Sequence, residues 1–136
     1  MLKRLDPAKM KMACQVALVC FWATMLISTH LPPTSPFLPS EAHNLDKLYH
    51  CSAYALLAGL LATTWQLSAG RLNAGHLFWT WLAVASWAAI DELTQTAFNR
   101  DCSVWDWTAD SIGAAIGLLA FVWLRKILAA RMAHRE

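Results

Sequence analysis

Ionisable side chains that could bind an ion or transfer a proton are concentrated in two short stretches of this chain of 136 residues. One stretch lies between Trp87 and Gly117, and the other covers residues 46–54. Together they contain the candidate site residues: Asp46, Lys47, His50, Tyr54, Asp91, Glu92, Gln95, Arg100, Ser103, Asp106 and Asp110. Both stretches border or enter strongly apolar sequence, where charge is unfavourable and indicates a functional role.

Helical spacing predicts that these residues form three stripes, one on each of three helices. At 3.6 residues per turn, the polar residues of 46–54 fall within an arc of about 100°, and so do those of 91–95. Those of 103–110 fall within about 80° and share their face with Gly113 and Gly117. Small residues at this spacing allow close helix packing. Because charged side chains avoid lipid, we expect the stripes to face one another around one pocket.

Within this pocket His50 and Glu92 are the candidate catalytic acid and base, since both can exchange protons with a substrate. The remaining nine residues are candidate binding residues, and Gly113 and Gly117 are candidate packing residues. Carboxylates outnumber cations here, and crowded carboxylates either take up protons or hold a cation. No cofactor is evident, but a divalent cation fits this composition. His50 would bind it together with either Asp91 or Glu92.

The elements that must position these residues are helices that cross a membrane. Hydrophobic residues make up 57% of the chain and charged residues 15%, whereas a soluble domain has about 25% charged residues. Four apolar segments, 12–29, 48–69, 76–98 and 104–128, each have roughly the 17–25 residues that span a bilayer. The sequence therefore predicts an all-α, integral membrane four-helix bundle that forms a single domain over residues 1–136.

The distribution of basic residues predicts the orientation of this bundle. Nine of the eleven Lys and Arg residues lie at the termini or in the second loop, and only Lys47 and Arg100 lie on the other side. Positive charge favours the cytoplasm, so we expect both termini there and the polar pocket at the outer face. Trp79 and Trp81 would then mark one interface, and Trp105 and Trp107 the other. The first segment has no small-residue cleavage site, so it is predicted to be an uncleaved helix.

Other titratable residues are predicted to lie outside the pocket. His30 and His43 fall in the first loop and are expected to be solvated, whereas His76 begins the third helix at the opposite end. Cys51 and Cys102 both fall near the outer face. A disulfide between them is left open because sequence spacing cannot establish its geometry.

Two sequence strings, DKLYHCSAY from Asp46 and ELTQTAFNR from Glu92, contain most of these polar residues. With Ser103, Asp106 and the Gly113-x-x-x-Gly117 pair, they resemble the motifs of the VanZ-like family of small multi-pass membrane proteins. The resemblance covers about half of the chain. The sequence departs from the family pattern in having Phe98-Asn99 where Pro-Gly precedes the Arg, and Asp110 where Asn is common.

The resemblance implies a four-helix protein of the bacterial cytoplasmic (inner) membrane with a role in the cell envelope. The member that gives the family its name is associated with resistance to the glycopeptide teicoplanin. We therefore expect the lipid bilayer as a partner, and a pocket that binds or protects a lipid-linked envelope component or a glycopeptide and so affects glycopeptide susceptibility.

Three other interpretations remain open. The first is an intramembrane enzyme that modifies a lipid-linked envelope substrate through His50 and Glu92. The second is an ion- or proton-coupled carrier, which the scarcity of polar residues in the inner half disfavours. The third is structural, with Lys47 bound to an acid and Arg100 bound to Asp106. No basic and aromatic patch indicates nucleic acid, and the glycine pair could pack within one chain or between chains, which leaves the oligomeric state open.

Overall fold

In a computed structural model of the protein, which describes residues 6–31 and 43–134, the chain forms four long helices. They are α1 (Pro7–Thr29), α2 (His43–Ala69), α3 (Ala74–Gln95) and α4 (Val104–Ala133), with a short 3₁₀ turn, Thr96–Phe98, after α3. No strand occurs in these described ranges, so the all-α prediction is confirmed. The first loop lies almost entirely outside the described residues.

Three helix boundaries differ by five residues from the predicted segments. α1 begins at Pro7 rather than near residue 12, because the Asp6 side chain accepts a hydrogen bond of 3.0 Å from the Ala8 N–H. Proline suits this first position, where its missing N–H would have no helical partner. α2 begins five residues before the predicted start, and α4 continues beyond residue 128 to Ala133.

The turn between α2 and α3 is built from a glycine and a helix cap. Gly70 has a φ of 86°, which L-residues with a side chain rarely adopt. Asn73 then caps α3 by accepting from the His76 N–H at 2.9 Å, and His76 Nδ1 accepts from the Asn73 N–H at 3.2 Å. His76 thus has a capping role at the opposite end of α3 from Asp91 and Glu92.

The closest helix contact joins α2 to α4. Gly113 faces the backbone of Cys51, and Gly117 faces the backbone of Ala55, with no space for a Cβ at either glycine. Around this contact the core combines alanines with larger side chains: Tyr54, Leu57, Ala58, Ala62, Val84, Ala88, Ala114 and Leu118. In this structure the glycine pair therefore packs two helices of the same chain.

Two tryptophans connect α3 to α4. Trp81 Nε1 donates to the Ser111 carbonyl and Trp107 Nε1 donates to the Ala85 carbonyl, both at 3.0 Å. Trp79 and Trp105 are exposed, as expected of interfacial anchors. The interpretation of all four as anchors missed this second role of Trp81 and Trp107.

Two of the described helices, α1 and α4, are long and apolar enough to cross a membrane. α1 buries only Met25, so it is not the enclosed core helix of a globular protein. The sequence predicts that all four segments cross a membrane. Length and composition support this prediction for α1 and α4.

Candidate functional site

Polar side chains from all four helices meet at one end of the bundle, where α1 and α3 end and α2 and α4 begin. We call this group the polar cluster. Its members are Thr29, His30, Lys47, His50, Tyr54, Asp91, Glu92, Gln95, Ser103, Asp106 and Asp110. The predicted stripes on α2, α3 and α4 are thus brought together, and α1 adds a fourth contribution that the sequence analysis missed.

The outermost contact of the polar cluster is an ion pair between α2 and α4. Lys47 Nζ donates to Asp106 Oδ1 at 2.7 Å, and the side chains are 38% and 14% exposed. Lys47 precedes the predicted span 48–69, and this hydrogen bond raises the pKa of its ammonium above the usual value, which keeps it charged at neutral pH. The Ser103 hydroxyl accepts from the Asp106 N–H at 3.2 Å and so caps α4.

The structural interpretation left open above paired Arg100 with Asp106, but Asp106 binds Lys47 instead. Arg100 is half-buried, and no described carboxylate lies within ion-pair distance of its guanidinium. Its backbone N–H donates to the Gln95 carbonyl at 3.3 Å, which places it directly beside the end of α3. Arg100 is therefore a partly accessible cation at the rim of the polar cluster.

One turn deeper, His50 pairs with Asp110. His50 Nδ1 lies 3.0 Å from Asp110 Oδ1, and these side chains are only 9% and 1% exposed. Asp110 Oδ2 and the Tyr54 hydroxyl are both buried and have no hydrogen-bond partner among the residues described. Tyr54 lies one turn after His50 on the same face of α2. A buried polar atom left without a partner costs about 1–3 kcal/mol, so these two atoms require an explanation.

Glu92 connects the end of α3 to the start of α4. Its Oε2 accepts from the Ser103 N–H at 2.8 Å, and its Oε1 accepts from the Gln95 amide at 3.3 Å. The predicted acid and base, His50 and Glu92, therefore share no hydrogen bond, because Asp110 is the partner of His50. Ligand atoms of these three residues nevertheless lie within 4.8 Å of one another.

Asp91 binds the end of α1. The Thr29 hydroxyl donates to Asp91 Oδ1 at 3.2 Å, His30 Nδ1 lies 3.8 Å from the same oxygen, and Gln95 donates to Oδ2 at 3.3 Å. His30 Nε2 also lies 3.0 Å from the Thr94 hydroxyl. The expectation that His30 is a solvated loop residue is therefore wrong, because its side chain is 14% exposed and packed against α3. The following Pro-Pro sequence suggested a loop and concealed this contact.

The other predicted residues lie around this core of the site. Asp46 is half-buried, and its carboxylate forms a second compact group with His50 and Asp106. Cys51 and Cys102 are free thiols, so the disulfide left open above is absent. The side chain of His43 lies outside the described part of the chain.

The turn before Arg100 contains a residue with a left-handed backbone conformation. Asn99 has a φ of 57° in the left-handed region. After glycine, Asn is among the residues that adopt this conformation most readily. Asn99 can thus make the turn at a position where the VanZ-like pattern has Gly.

The fold and the site together define a small all-α protein with a buried polar cluster at one end of its helices. Comparisons of the chain with models of known families, with curated proteins and with solved structures give no match. The resemblance to the VanZ-like family therefore rests on the motif residues and remains a prediction.

Proposed function

We propose that this is a multi-pass protein of the bacterial cytoplasmic membrane, with four crossing helices and both termini in the cytoplasm. The exposed apolar surface supports this proposal. α1 exposes Val16, Val19 and Ile27, and α4 exposes Leu119 and Trp123. Leaving apolar surface in water costs roughly 25 cal/mol per Å², a cost that lipid removes. With this topology the polar cluster lies at the outer face.

The function that we propose for the polar cluster is recognition of a cell-envelope component at this outer face. The observation that carries the proposal is the gradient from the accessible Lys47–Asp106 pair to the buried His50–Asp110 pair one turn deeper. An entering ligand meets Lys47 and Asp106 first, and it can exchange their mutual contact for its own charged groups.

The ligand class that fits is an anionic, lipid-linked envelope intermediate or a glycopeptide. Arg100 supplies a cation that no described carboxylate neutralises, and Arg is well suited to bind phosphate or carboxylate. Lys47 supplies a second cation, and Asp106 can accept from an amine of the ligand. Binding or shielding such a component would change glycopeptide susceptibility.

The test compares two arginines at opposite ends of the bundle. Protein in lipid nanodiscs is titrated with a polyprenyl phosphate, and binding is followed by tryptophan fluorescence. Arg100→Ala should weaken binding by about tenfold or more, as expected for loss of a charge-assisted hydrogen bond. Arg71→Ala, an exposed arginine in the turn after α2, is the matched control and should bind normally. Equal affinities of the two variants would refute this role of Arg100.

The same contrast applies in cells. At equal membrane levels, Arg100→Ala and Asp106→Ala should abolish any effect of the protein on glycopeptide susceptibility, whereas Arg71→Ala should keep it. Unchanged susceptibility in both site variants contradicts the proposal.

A second candidate function, an intramembrane enzyme, is favoured by the His50–Asp110 hydrogen bond. A carboxylate that holds one ring nitrogen orients the imidazole, which can then act as a general base. The pair proposed for this chemistry is thus His50 with Asp110, and Glu92 holds the adjoining loop through Ser103. His50→Gln separates the two functions, because an enzyme would lose turnover of a lipid-linked substrate, whereas a binding protein has no turnover to lose.

A further inference from the structure

We propose that His50, Glu92 and Asp110 bind a divalent transition-metal ion between α2, α3 and α4. Their ligand atoms lie within 4.8 Å of one another, and all three residues are buried. Ligands at about 2.1 Å from a tetrahedral Zn²⁺ are about 3.4 Å apart, so small side-chain rotations would complete the site. Metal sites in helix bundles are commonly built in this way, from inward-facing residues of different helices.

The unpartnered atoms give independent support for this site. Asp110 is fully buried, and its Oδ2 has no hydrogen-bond partner among the residues that the structure describes. The Tyr54 hydroxyl is also buried without a partner and lies one turn below His50. A bound cation would give Asp110 Oδ2 a partner, and a water on that cation could hydrogen-bond to Tyr54.

The charge around the three residues also favours a divalent cation. Glu92 and Asp110 bring two carboxylates into the interior, and the neighbouring ammonium of Lys47 is bound to Asp106. Buried charge is stable only when it is paired, protonated or bound to a metal. A divalent ion would neutralise both carboxylates at once.

The donor set and its surroundings indicate the kind of metal. Imidazole nitrogen together with carboxylate oxygen suits Zn²⁺ and similar first-row ions better than Cu⁺, which prefers sulfur, or Ca²⁺, which prefers oxygen alone. Hydrogen bonds to Glu92 from the Ser103 N–H and the Gln95 amide fix the orientation of its carboxylate, as hydrogen bonds to the ligands do in known metal sites.

A second group, Asp46 with His50 and Asp106, has similar spacing but is the weaker candidate. Asp106 is bound to the Lys47 ammonium at 2.7 Å, and that positive charge opposes a cation. The proposed site therefore uses the inner carboxylates rather than the outer ones.

Metal content of the purified full-length protein tests the proposal directly. The protein carries a tag without histidines, is stripped with a chelator in mild detergent, and is dialysed against micromolar Zn²⁺. We expect about one Zn²⁺ per chain, as for a single site. Loss of a ligand in His50→Gln, Glu92→Gln or Asp110→Asn should weaken Zn²⁺ binding by more than about tenfold.

Asp91→Asn is the matched control, because it removes a buried carboxylate next to Glu92 that is not a proposed ligand. It should keep its Zn²⁺, and Asp106→Asn should do the same. Wild-type protein without Zn²⁺, normal binding in the three ligand variants, or equal loss in Asp91→Asn would each overturn the proposal.

Thermal unfolding covers the case in which a ligand variant does not fold. Zn²⁺ should raise the Tm of the wild type and of Asp91→Asn, since a ligand that binds only the folded state stabilises it. A wild-type Tm that does not respond to Zn²⁺ would also refute the metal site. The inference is independent of the proposed envelope ligand, because neither measurement uses that ligand.

Discussion

Adding one methyl group at Gly113 or Gly117 should force α2 and α4 apart. A Cβ on Gly113 would lie 2.8 Å from the carbonyl carbon and 2.9 Å from the Cα of Cys51, and closer still to the Cys51 oxygen. Gly117 meets the backbone of Ala55 in the same way. Carbon atoms pack best at about 3.5–4.0 Å, so the two helix backbones must separate by about 1 Å.

The expected change in the free energy of unfolding follows from two terms that lower stability and one that raises it. Overpacking in a tight core costs about 1–3 kcal/mol, and backbone neighbours cannot rotate away as side chains can. The separation also stretches the His50–Asp110 hydrogen bond, a net contribution of about 1 kcal/mol. Alanine recovers about 1 kcal/mol through its higher helix propensity. Gly113→Ala should therefore lower the free energy of unfolding by about 2 kcal/mol, the balance of these terms.

Gly59→Ala is the matched control on the facing helix. Its Cβ would lie 3.7 Å from the Gly117 carbonyl oxygen, an ordinary contact. This variant should be stabilised by up to about 1 kcal/mol, because alanine restricts the unfolded chain and favours helix. The same Gly→Ala substitution should thus destabilise the protein at Gly113 and stabilise it at Gly59.

SDS titration of the protein in mixed micelles, followed by circular dichroism, measures these differences. Maleimide labelling gives a second measure, because Cys51 lies at the contact and should react faster in Gly113→Ala. The exposed Cys102 serves as an internal standard. If Gly113→Ala and Gly117→Ala unfold at the same SDS concentration as Gly59→Ala, the close contact between α2 and α4 is wrong.

Two further pairs of substitutions test the contacts around the α3–α4 connection. Trp107→Phe removes the donor to the Ala85 carbonyl and should lower the free energy of unfolding by about 1 kcal/mol in the same assay. Trp105→Phe changes an exposed ring without such a bond and should be neutral. Equal effects of the two variants would refute the Trp107 contact. Asn99→Gly should preserve the free energy of unfolding. Asn99→Val should lower it by about 1–2 kcal/mol, because a β-branched residue resists the left-handed conformation. A neutral Asn99→Val variant would contradict the left-handed turn.

The fold was predictable where a local signal decides it. The ends of α1 and α2 follow from the Pro-Pro sequence and from Gly70, and the start of α4 follows from the cap at Ser103. The start of α1 was missed although the sequence contains its signal. Asp6 is a common N-cap residue, and Pro7 is a common first residue of a helix. Apolar periodicity alone placed that start too late.

The polar cluster was predictable in its membership but not in its pairing. Spacing along one helix shows which residues share a face, and this placed His50, Glu92 and Asp110 toward a common interior. It cannot give the rotation of one helix against another, which decides that Lys47 rather than Arg100 binds Asp106. That rotation depends on packing at Gly113 and Gly117 across distant parts of the chain.

The pairing of α2 with α4 has a consequence for biosynthesis. The partners Lys47 and Asp106, and likewise His50 and Asp110, are about sixty residues apart in sequence. A ribosome completes the second partner of each pair only when it reaches α4, about sixty residues after the first partner. Until α4 emerges, Lys47 and His50 on α2 lack the carboxylates that bind them in the folded protein. A chain that stops before Val104 should therefore lack both charge pairs, so this end of the bundle completes its folding only after α4 has been made.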